Sequence, residues 1–289
     1  MADPRGPQLI AGPSEQTSVG SAATEPRRAR LHENRLLASL PQTDIALLAP
    51  HLQVVSVRPG AVVQMQGRPV EYVFFPHEGL VSLHAMTLEG HMIQAASVGR
   101  AGVVCPVPKF DAREGFLTAV ALSAMRLSRI EVGKINAVQR ESETINRALR
   151  ACRQALLLQL RHNIPCGALH LGEQRLSRWI LETADQLESD ILPIPVTQEY
   201  VAQCLGIRRT TLTLLVRALQ DVEAIRWGRS RVEILDRTRL EAIACSCYAG
   251  LRERMRKLLP VASAVPWSGL DDREAASGAR TKLPKSLSK

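Results

Sequence analysis

The stretch at residues 196–227, VTQEYVAQCLGIRRTTLTLLVRALQDVEAIRW, decides the architecture of this chain, because two short helical patterns meet in it at a glycine. Thr197 is a good helix N-cap, and Glu199 falls in the first turn, where the helix dipole favours an acid. Ala202, Gly206 and Leu212 fall at the spacings of a helix-turn-helix. A small residue lets the helices cross closely, glycine permits the sharp turn, and an apolar side chain anchors the second helix. That helix opens with Arg208, Arg209, Thr210 and Thr211 and is expected to bury Leu212, Leu215, Val216 and Leu219. Its polar face carries Arg209, Thr210, Thr213 and Arg217.

Downstream, Ile225-Arg226-Trp227 and Arg231-Val232-Glu233-Ile234-Leu235 flank the turn Gly228-Arg229-Ser230 and predict a small β-hairpin, a wing. Arg208, Arg209, Thr210, Thr211, Thr213 and Arg217 are the candidate contacts to double-stranded DNA from the helix, and Arg229 and Arg231 from the wing. Arginine and threonine at a helix start reach base edges in a major groove, while wing arginines meet phosphates. A plain helical hairpin with a solvated basic face is the alternative.

The charge is placed to match. The formal net charge is +9, with 37 basic and 28 acidic side chains. Residues 31–199 balance at 16 of each, residues 200–250 hold eight basic and five acidic groups, and residues 251–289 nine and four. Only the C-terminal third has an electrostatic reason to meet a polyanion. No apolar run approaches the roughly 18–20 residues of a membrane span, and the polar, Pro/Gly-rich start lacks a signal peptide's pattern. A cytoplasmic location without membrane contact is expected, with the six cysteines reduced.

Ahead of the basic third, residues 52–130 read as short β runs punctuated by glycines at 60, 67, 79, 90, 99 and 102, the texture of an antiparallel roll or sandwich. The runs start at Gln53, Tyr72, Leu80, Met92 and Ala119. Helical patches at 34–40 and 44–52 flank Pro41. A long helix is predicted over 132–163, ended by Pro165, with another over 169–187 bounded by Pro193 and Pro195. Ile135, Val138, Ser142, Ile145, Leu149, Cys152 and Leu156 alternate by three and four, predicting a seam toward a second copy of the helix, with a helix lying wholly on its own domain as the alternative. A second stripe, Ala148, Ala151, Ala155 and Leu158, is expected to pack back on the β domain.

This order of β-roll, long helix and winged helix-turn-helix resembles the Crp/Fnr superfamily of bacterial transcription regulators. The most specific stretches are Asn34-Arg35-Leu36-Leu37-Ala38-Ser39-Leu40-Pro41, Val73-Phe74-Phe75-Pro76-His77-Glu78-Gly79, Glu173-Gln174-Arg175-Leu176-Ser177-Arg178-Trp179 and Cys245-Ser246-Cys247-Tyr248. The resemblance implies an α+β fold: an N-terminal antiparallel β-roll (jelly-roll-like), a long dimerisation helix and a C-terminal winged helix-turn-helix. Expected boundaries are a disordered tail at 1–30, the roll at 31–131, the dimer helix at 132–164, the DNA-binding domain at 165–250 and a basic, disordered tail at 251–289. It also implies a homodimer on a two-fold symmetric operator, with Arg209 the base-reading arginine and RNA polymerase a further candidate partner. Thr210 stands where the family usually has an acid, which changes the expected half-site.

Cyclic-nucleotide-binding members carry a Gly-Glu-Leu segment and a later Arg-Ser/Thr-Ala. Here the corresponding stretches are Gly99-Arg100-Ala101-Gly102 and Phe116-Leu117-Thr118-Ala119. Leu117 stands at the phosphate-binding position, and burying a phosphate there without a cation is costly. With Arg100 and Arg113 not at the matching place, no cyclic-nucleotide response is expected, and the effector stays unassigned.

No cofactor and no metal site is expected either. Cys245-x-Cys247 offers two ligands, but no second pair with zinc-site spacing lies nearby in sequence. His77, His84 and His91 would serve a rival reading, a cupin-like metal-dependent enzyme. A third reading is a degenerate regulator whose winged helix binds protein.

Overall fold

The computed structural model describes residues 32–105, 114–192, 197–229 and 231–259. The expected tail at 1–30, Arg113, Pro193, Pro195 and Ser230 lie outside them.

Two short helices, α1 (Arg35–Ala38) and α2 (Gln42–Leu48), precede seven strands: β1 (Gln53–Val57), β2 (Val62–Gln64), β3 (Tyr72–Pro76), β4 (Val81–Met86), β5 (Met92–Val98), β6 (Thr118–Ala121) and β7 (Met125–Glu131). They form two antiparallel sheets, β1-β7-β3 and β2-β6-β4-β5. Val55, Phe74, Leu83, Ala96, Ala119 and Leu127 fill the space between them. The outer face of the first sheet is covered too, so Val73, Phe75 and Ile130 pack under the helices while Phe74 and Leu127 point into the roll. Residues alternate between the faces of a strand, and with both faces covered β3 is a continuous apolar run.

The stretches that carried the resemblance are joints of this frame. The Asn34 side chain caps α1 by accepting from the Leu37 N–H, and its Nδ2 donates to the Pro76 carbonyl at 2.8 Å and the Gly102 carbonyl at 3.2 Å. His77 is held between Glu33 at 3.0 Å and Ser128 at 2.8 Å. Gly79 has φ +71°, and a Cβ there would stand 2.9 Å from the Met125 Cβ. Both conditions exclude larger residues.

The long helix departs from expectation. It breaks into α3 (Val132–Glu141) and α4 (Glu143–Leu169), because Ser142 turns extended and its Oγ accepts from the Ile145 N–H at 3.1 Å. Serine offers the backbone this capping alternative to a helical hydrogen bond. Pro165 does not end α4 but sits in its last turns. Both Pro165 and Arg161 face solvent, where the carbonyl deprived of its N–H partner can be hydrated.

The predicted seam also points the other way. Ile135, Val138, Ile145, Leu149 and Cys152 are buried in the chain's own core with Leu37, Leu48, Leu52, Val73 and Phe75, and Leu156 packs against the roll. Their spacing was that of an apolar face, and the face is satisfied within the subunit. Ala148, Ala151 and Ala155 belong to the same core, as expected.

After α4 come α5 (Gly172–Leu187), β8 (Ile191–Leu192), α6 (Gln198–Leu205), α7 (Arg209–Asp221), β9 (Ile225–Trp227), β10 (Val232–Ile234), α8 (Arg237–Ile243) and α9 (Cys247–Leu258). The expected tail from 251 therefore begins as helix. Tyr248, Leu251 and Leu259 are buried, and α9 packs along α4 and α5. The charges that suggested a tail, Arg254 among them, occupy its outer face. Residues 260–289 lie outside the described part.

The two halves are docked. The Trp179 indole N–H donates to Gln94 Oε1 at 2.6 Å and the Gly99 N–H to Gln186 Oε1 at 3.0 Å. His84 of β4 is fully buried, its Nε2 2.9 Å from the Tyr200 hydroxyl of α6. Burial pushes the His84 pKa down to about 4 from an ordinary 6.5. The folded protein keeps it neutral while the unfolded chain takes up a proton first as pH falls. The stability it supports is therefore complete above about pH 6.5 and lost between there and about pH 4, on the order of 3 kcal/mol. Urea denaturation should show that decline, and His84→Gln should flatten it. An equally steep decline in the variant would assign it to other groups.

Candidate nucleic-acid interface

α6 begins at Thr197, whose Oγ1 accepts from the Tyr200 N–H at 3.2 Å. It ends at Gly206, φ +63°, in the left-handed region where a β-carbon is disfavoured. The Gly206 N–H meets the Gln203 carbonyl and the Ile207 N–H the Ala202 carbonyl, closing the turn. α7 follows with Arg208 as its N-cap residue and Arg209 as its first helical residue. Leu212, Val216 and Leu219 are buried against Val201, Ala202 and Leu205, in a core that includes Leu176, Trp179 and Ile180 of α5. Leu215, expected buried, is half-buried and rests on Gly172, where a Cβ would lie 2.9 Å from its Cδ1.

The opposite face of α7 is open. Arg208, Arg209, Thr210, Thr211 and Arg217 are exposed. Thr213 is half-buried, and its Oγ1 donates within the protein, 2.8 Å from Gln198 Oε1 of α6 and 3.1 Å from the Arg209 carbonyl. The bond to Gln198 ties α7 to α6 at the helix crossing. Leu214, not singled out from the sequence, is 65% exposed on α7, three residues after Thr211. The apolar stripe read from the sequence, Leu212, Leu215, Val216 and Leu219, leaves it unassigned.

β8, β10 and β9 make the wing sheet in that order, with Ile225, Trp227, Val232 and Ile234 in paired register. β8 was not anticipated; two residues give no period to read. The Gly228 N–H meets the Arg231 carbonyl at 2.9 Å across the turn, and Arg229 and Arg231 are exposed at its tip. Arg226 instead pairs with Glu233 at 3.0 Å. Among the described residues, Arg208, Arg209, Arg217, Arg229 and Arg231 have no ion-pair partner, whereas Arg237 is tied to Asp185 and, at 2.6 Å, to Asp190. Five exposed arginines without an ion pair thus stand together on α7 and the wing tip.

In the roll, Leu117 is half-buried against the apolar core. Arg100 turns to Glu188 at 3.4 Å, and Arg35 reaches the same carboxylate at 2.6 Å. Arg100 is thus engaged at the end of α5. The three histidines do not share a cavity: His77 lies between Glu33 and Ser128, His84 faces Tyr200, and His91 is exposed.

A helix-turn-helix with a basic outer face and a three-stranded wing, following a β-roll and a long helix, defines the class. Residues 174–243 match the Crp-like helix-turn-helix domain. The fold matches FixK2 from Bradyrhizobium japonicum with TM-score 0.60 at 16% identity, covering 68% of this chain and 98% of that one. The c-di-GMP responsive global regulator CLP of Xanthomonas campestris gives 0.57 at 15%, covering 67% and 99%. A Crp/Fnr-family transcriptional regulator of Thermus thermophilus gives 0.54 at 21%, covering 66% and 98%. No curated protein matches the chain. The chain therefore carries a Crp-like helix-turn-helix domain on the fold of Crp/Fnr regulators. No helix among the described residues is long and apolar enough to cross a membrane.

Proposed function

We propose that this chain is a sequence-specific DNA-binding transcription regulator that works as a homodimer on a two-fold symmetric operator. The observation that carries the reading is the set of exposed arginines on α7 and the wing without an ion-pair partner among the described residues, beside ion pairs that engage Arg226, Arg237 and Arg239 in the same domain. Exposed cations gain most from phosphate contact, since each contact releases condensed counterions. The α7 N-terminus supplies the base readers, Arg209 first, with Thr210, Thr211 and the apolar Leu214 beside it; Leu214 suits a thymine methyl.

Arg209→Ala is expected to cost about 1–3 kcal/mol on the operator and to relax preference at one base pair per half-site. Arg229→Ala should weaken all duplexes alike and flatten the salt dependence. Titrations on operator and scrambled duplex at two salt concentrations separate these effects. Equal losses on both duplexes for Arg209→Ala would remove it from base reading. Binding indifferent to salt would favour a protein partner for the winged helix.

For the dimer, α4 offers a surface other than the buried one. Leu157 is 56% and Ile164 74% exposed, seven residues apart on the same helix. A heptad-spaced apolar line in water is what a coiled-coil partner covers. Leu157→Glu with Ile164→Glu should leave the fold intact and yield monomers in sedimentation. A persistent dimer would place the interface elsewhere.

The roll supports no cyclic-nucleotide response, because Leu117 packs inward and Arg100 is committed to Glu188. A ligand raises the melting temperature only by occupying the native state. Cyclic AMP and cyclic GMP should leave it unchanged in a thermal-shift titration, and a saturable rise of several degrees would overturn this reading.

A further inference from the structure

We propose that Cys166, His170, Cys245 and Cys247 form a tetrahedral site for one zinc-class divalent ion, clamping the end of α4 to the start of α9. The sequence offered only Cys245-x-Cys247 and no nearby second pair. The fold brings that pair from α4, 79 positions away for the cysteines Cys166 and Cys245. Cys166 and His170 are four residues apart, one turn of helix, and so share a face. Cys245 and Cys247 bracket Ser246 as the chain enters α9.

The four ligand atoms all lie within 4.8 Å of one another. The two sulfurs of Cys166 and Cys245 are 3.5 Å apart, and the Cys247 sulfur is 3.6 Å from His170 Nδ1. A tetrahedral zinc ion with Zn–S of about 2.3 Å and Zn–N of about 2.0–2.1 Å has ligand–ligand edges of about 3.5–3.8 Å. The side chains thus stand close to the edges of that tetrahedron. A four-iron cluster puts an iron beneath each ligand and a two-iron cluster divides the four ligands between two irons; both spread the ligands further apart, so the spacing selects a single ion. Three sulfurs and an imidazole suit zinc and disfavour magnesium or calcium, which take oxygen.

Charge supports the same assignment. Three thiolates and a neutral imidazole around a divalent cation leave one negative charge in a largely buried place. Arg178 of α5, only 7% exposed, faces Glu182 at 3.5 Å and also interacts electrostatically with all three cysteines, and its Nε has no hydrogen-bond partner among the described residues. Its Nη2 is fixed by Asn163 Oδ1 at 2.6 Å. A buried guanidinium beside the thiolates is the counter-charge such a site needs. The frame is held in place independently: next to Cys247, the Tyr248 hydroxyl donates to Asp185 Oδ2 at 2.9 Å, and Arg237 joins both. Ligands on such fixed elements bind without much ordering. The ion would tie the turn between α4 and α5, where the chain passes from the roll's long helix to the winged domain.

The test uses the full chain, purified under reducing conditions, stripped with a chelator and titrated anaerobically with Co(II). The expected result is a thiolate-to-cobalt charge-transfer band with the intense d–d absorption of tetrahedral cobalt, saturating at one ion per chain and bleached by Zn(II). Zinc should also raise the melting temperature of the stripped protein. His170→Ala with Cys247→Ser, both at half-buried positions, should lose the saturable spectrum while keeping the wild-type circular dichroism; Cys105→Ser should keep the spectrum. Wild-type protein without the tetrahedral spectrum would overturn the proposal whether or not the variants fold. So would an unchanged spectrum in the folded double variant, or a Cys166–Cys245 disulfide that persists under the same reducing conditions.

Discussion

The apolar face of α3 and α4 is buried within its own subunit, and the placement of almost everything else follows from that. Ile135, Val138, Ile145, Leu149 and Cys152 close the core beneath α1, α2 and the β1-β7-β3 sheet. Packing of this kind contributes about 1.5–3 kcal/mol for each large side chain removed from water, far more than any surface ion pair. With one face of α4 committed inward, its far side is left to water or to a partner, and its last turn is positioned against α9. The same helix thus serves the roll, the winged domain and the surface between them.

Electrostatics divides the molecule differently from packing. The roll and the long helix are balanced in charge, and several of their arginines are paired locally, as Arg126 is by Glu78 and Glu33, and Arg35 and Arg100 by Glu188. Beyond α6, the exposed arginines of α7 and of the wing tip have no ion-pair partner among the described residues and stand close together in sequence. Exposed pairs are worth little to stability, so leaving these arginines unpaired costs the fold almost nothing. What it changes is the field in front of α7, and a polyanion is the partner that such a field attracts.

The winged helix-turn-helix was legible because its signals are local. A threonine cap, a glycine in the left-handed region and apolar positions three and four apart each act within one turn of chain, and Thr197, Gly206 and Leu212 all stand where those signals put them. The strands of the roll were legible for the same reason, except β2, three residues long, and β7, whose Arg126, Ser128 and Arg129 interrupt the apolar alternation although Ser128 is buried and bonded to His77. The face of α4 was not legible. Periodicity identifies an apolar stripe without saying what covers it, and a helix with one stripe facing its own core and a second, sparser stripe at Leu157 and Ile164 shows the stronger one first. Ser142 and Pro165 misled in opposite directions. Serine can cap a new helix within an unbroken pattern, and proline is tolerated where the orphaned carbonyl meets water.

Least legible was the cluster at the foot of α4, since ligand-spacing rules read neighbours in sequence. Cys166 followed a proline taken as a helix end, so that it and His170 seemed to belong to no common face. Once the helix continues through Pro165, Cys166 and His170 are one turn apart, and once α9 is helix rather than tail, Cys245 and Cys247 are fixed opposite them. Two corrections to secondary structure, each modest alone, assemble a four-ligand group. Arg178 then falls into place as well. As a member of an amphipathic helix it would be a poor choice for burial, since a guanidinium without a full set of partners loses hydration it cannot replace. Between the Glu182 carboxylate, 3.5 Å away, and three sulfurs able to carry negative charge, its burial has a physical cause.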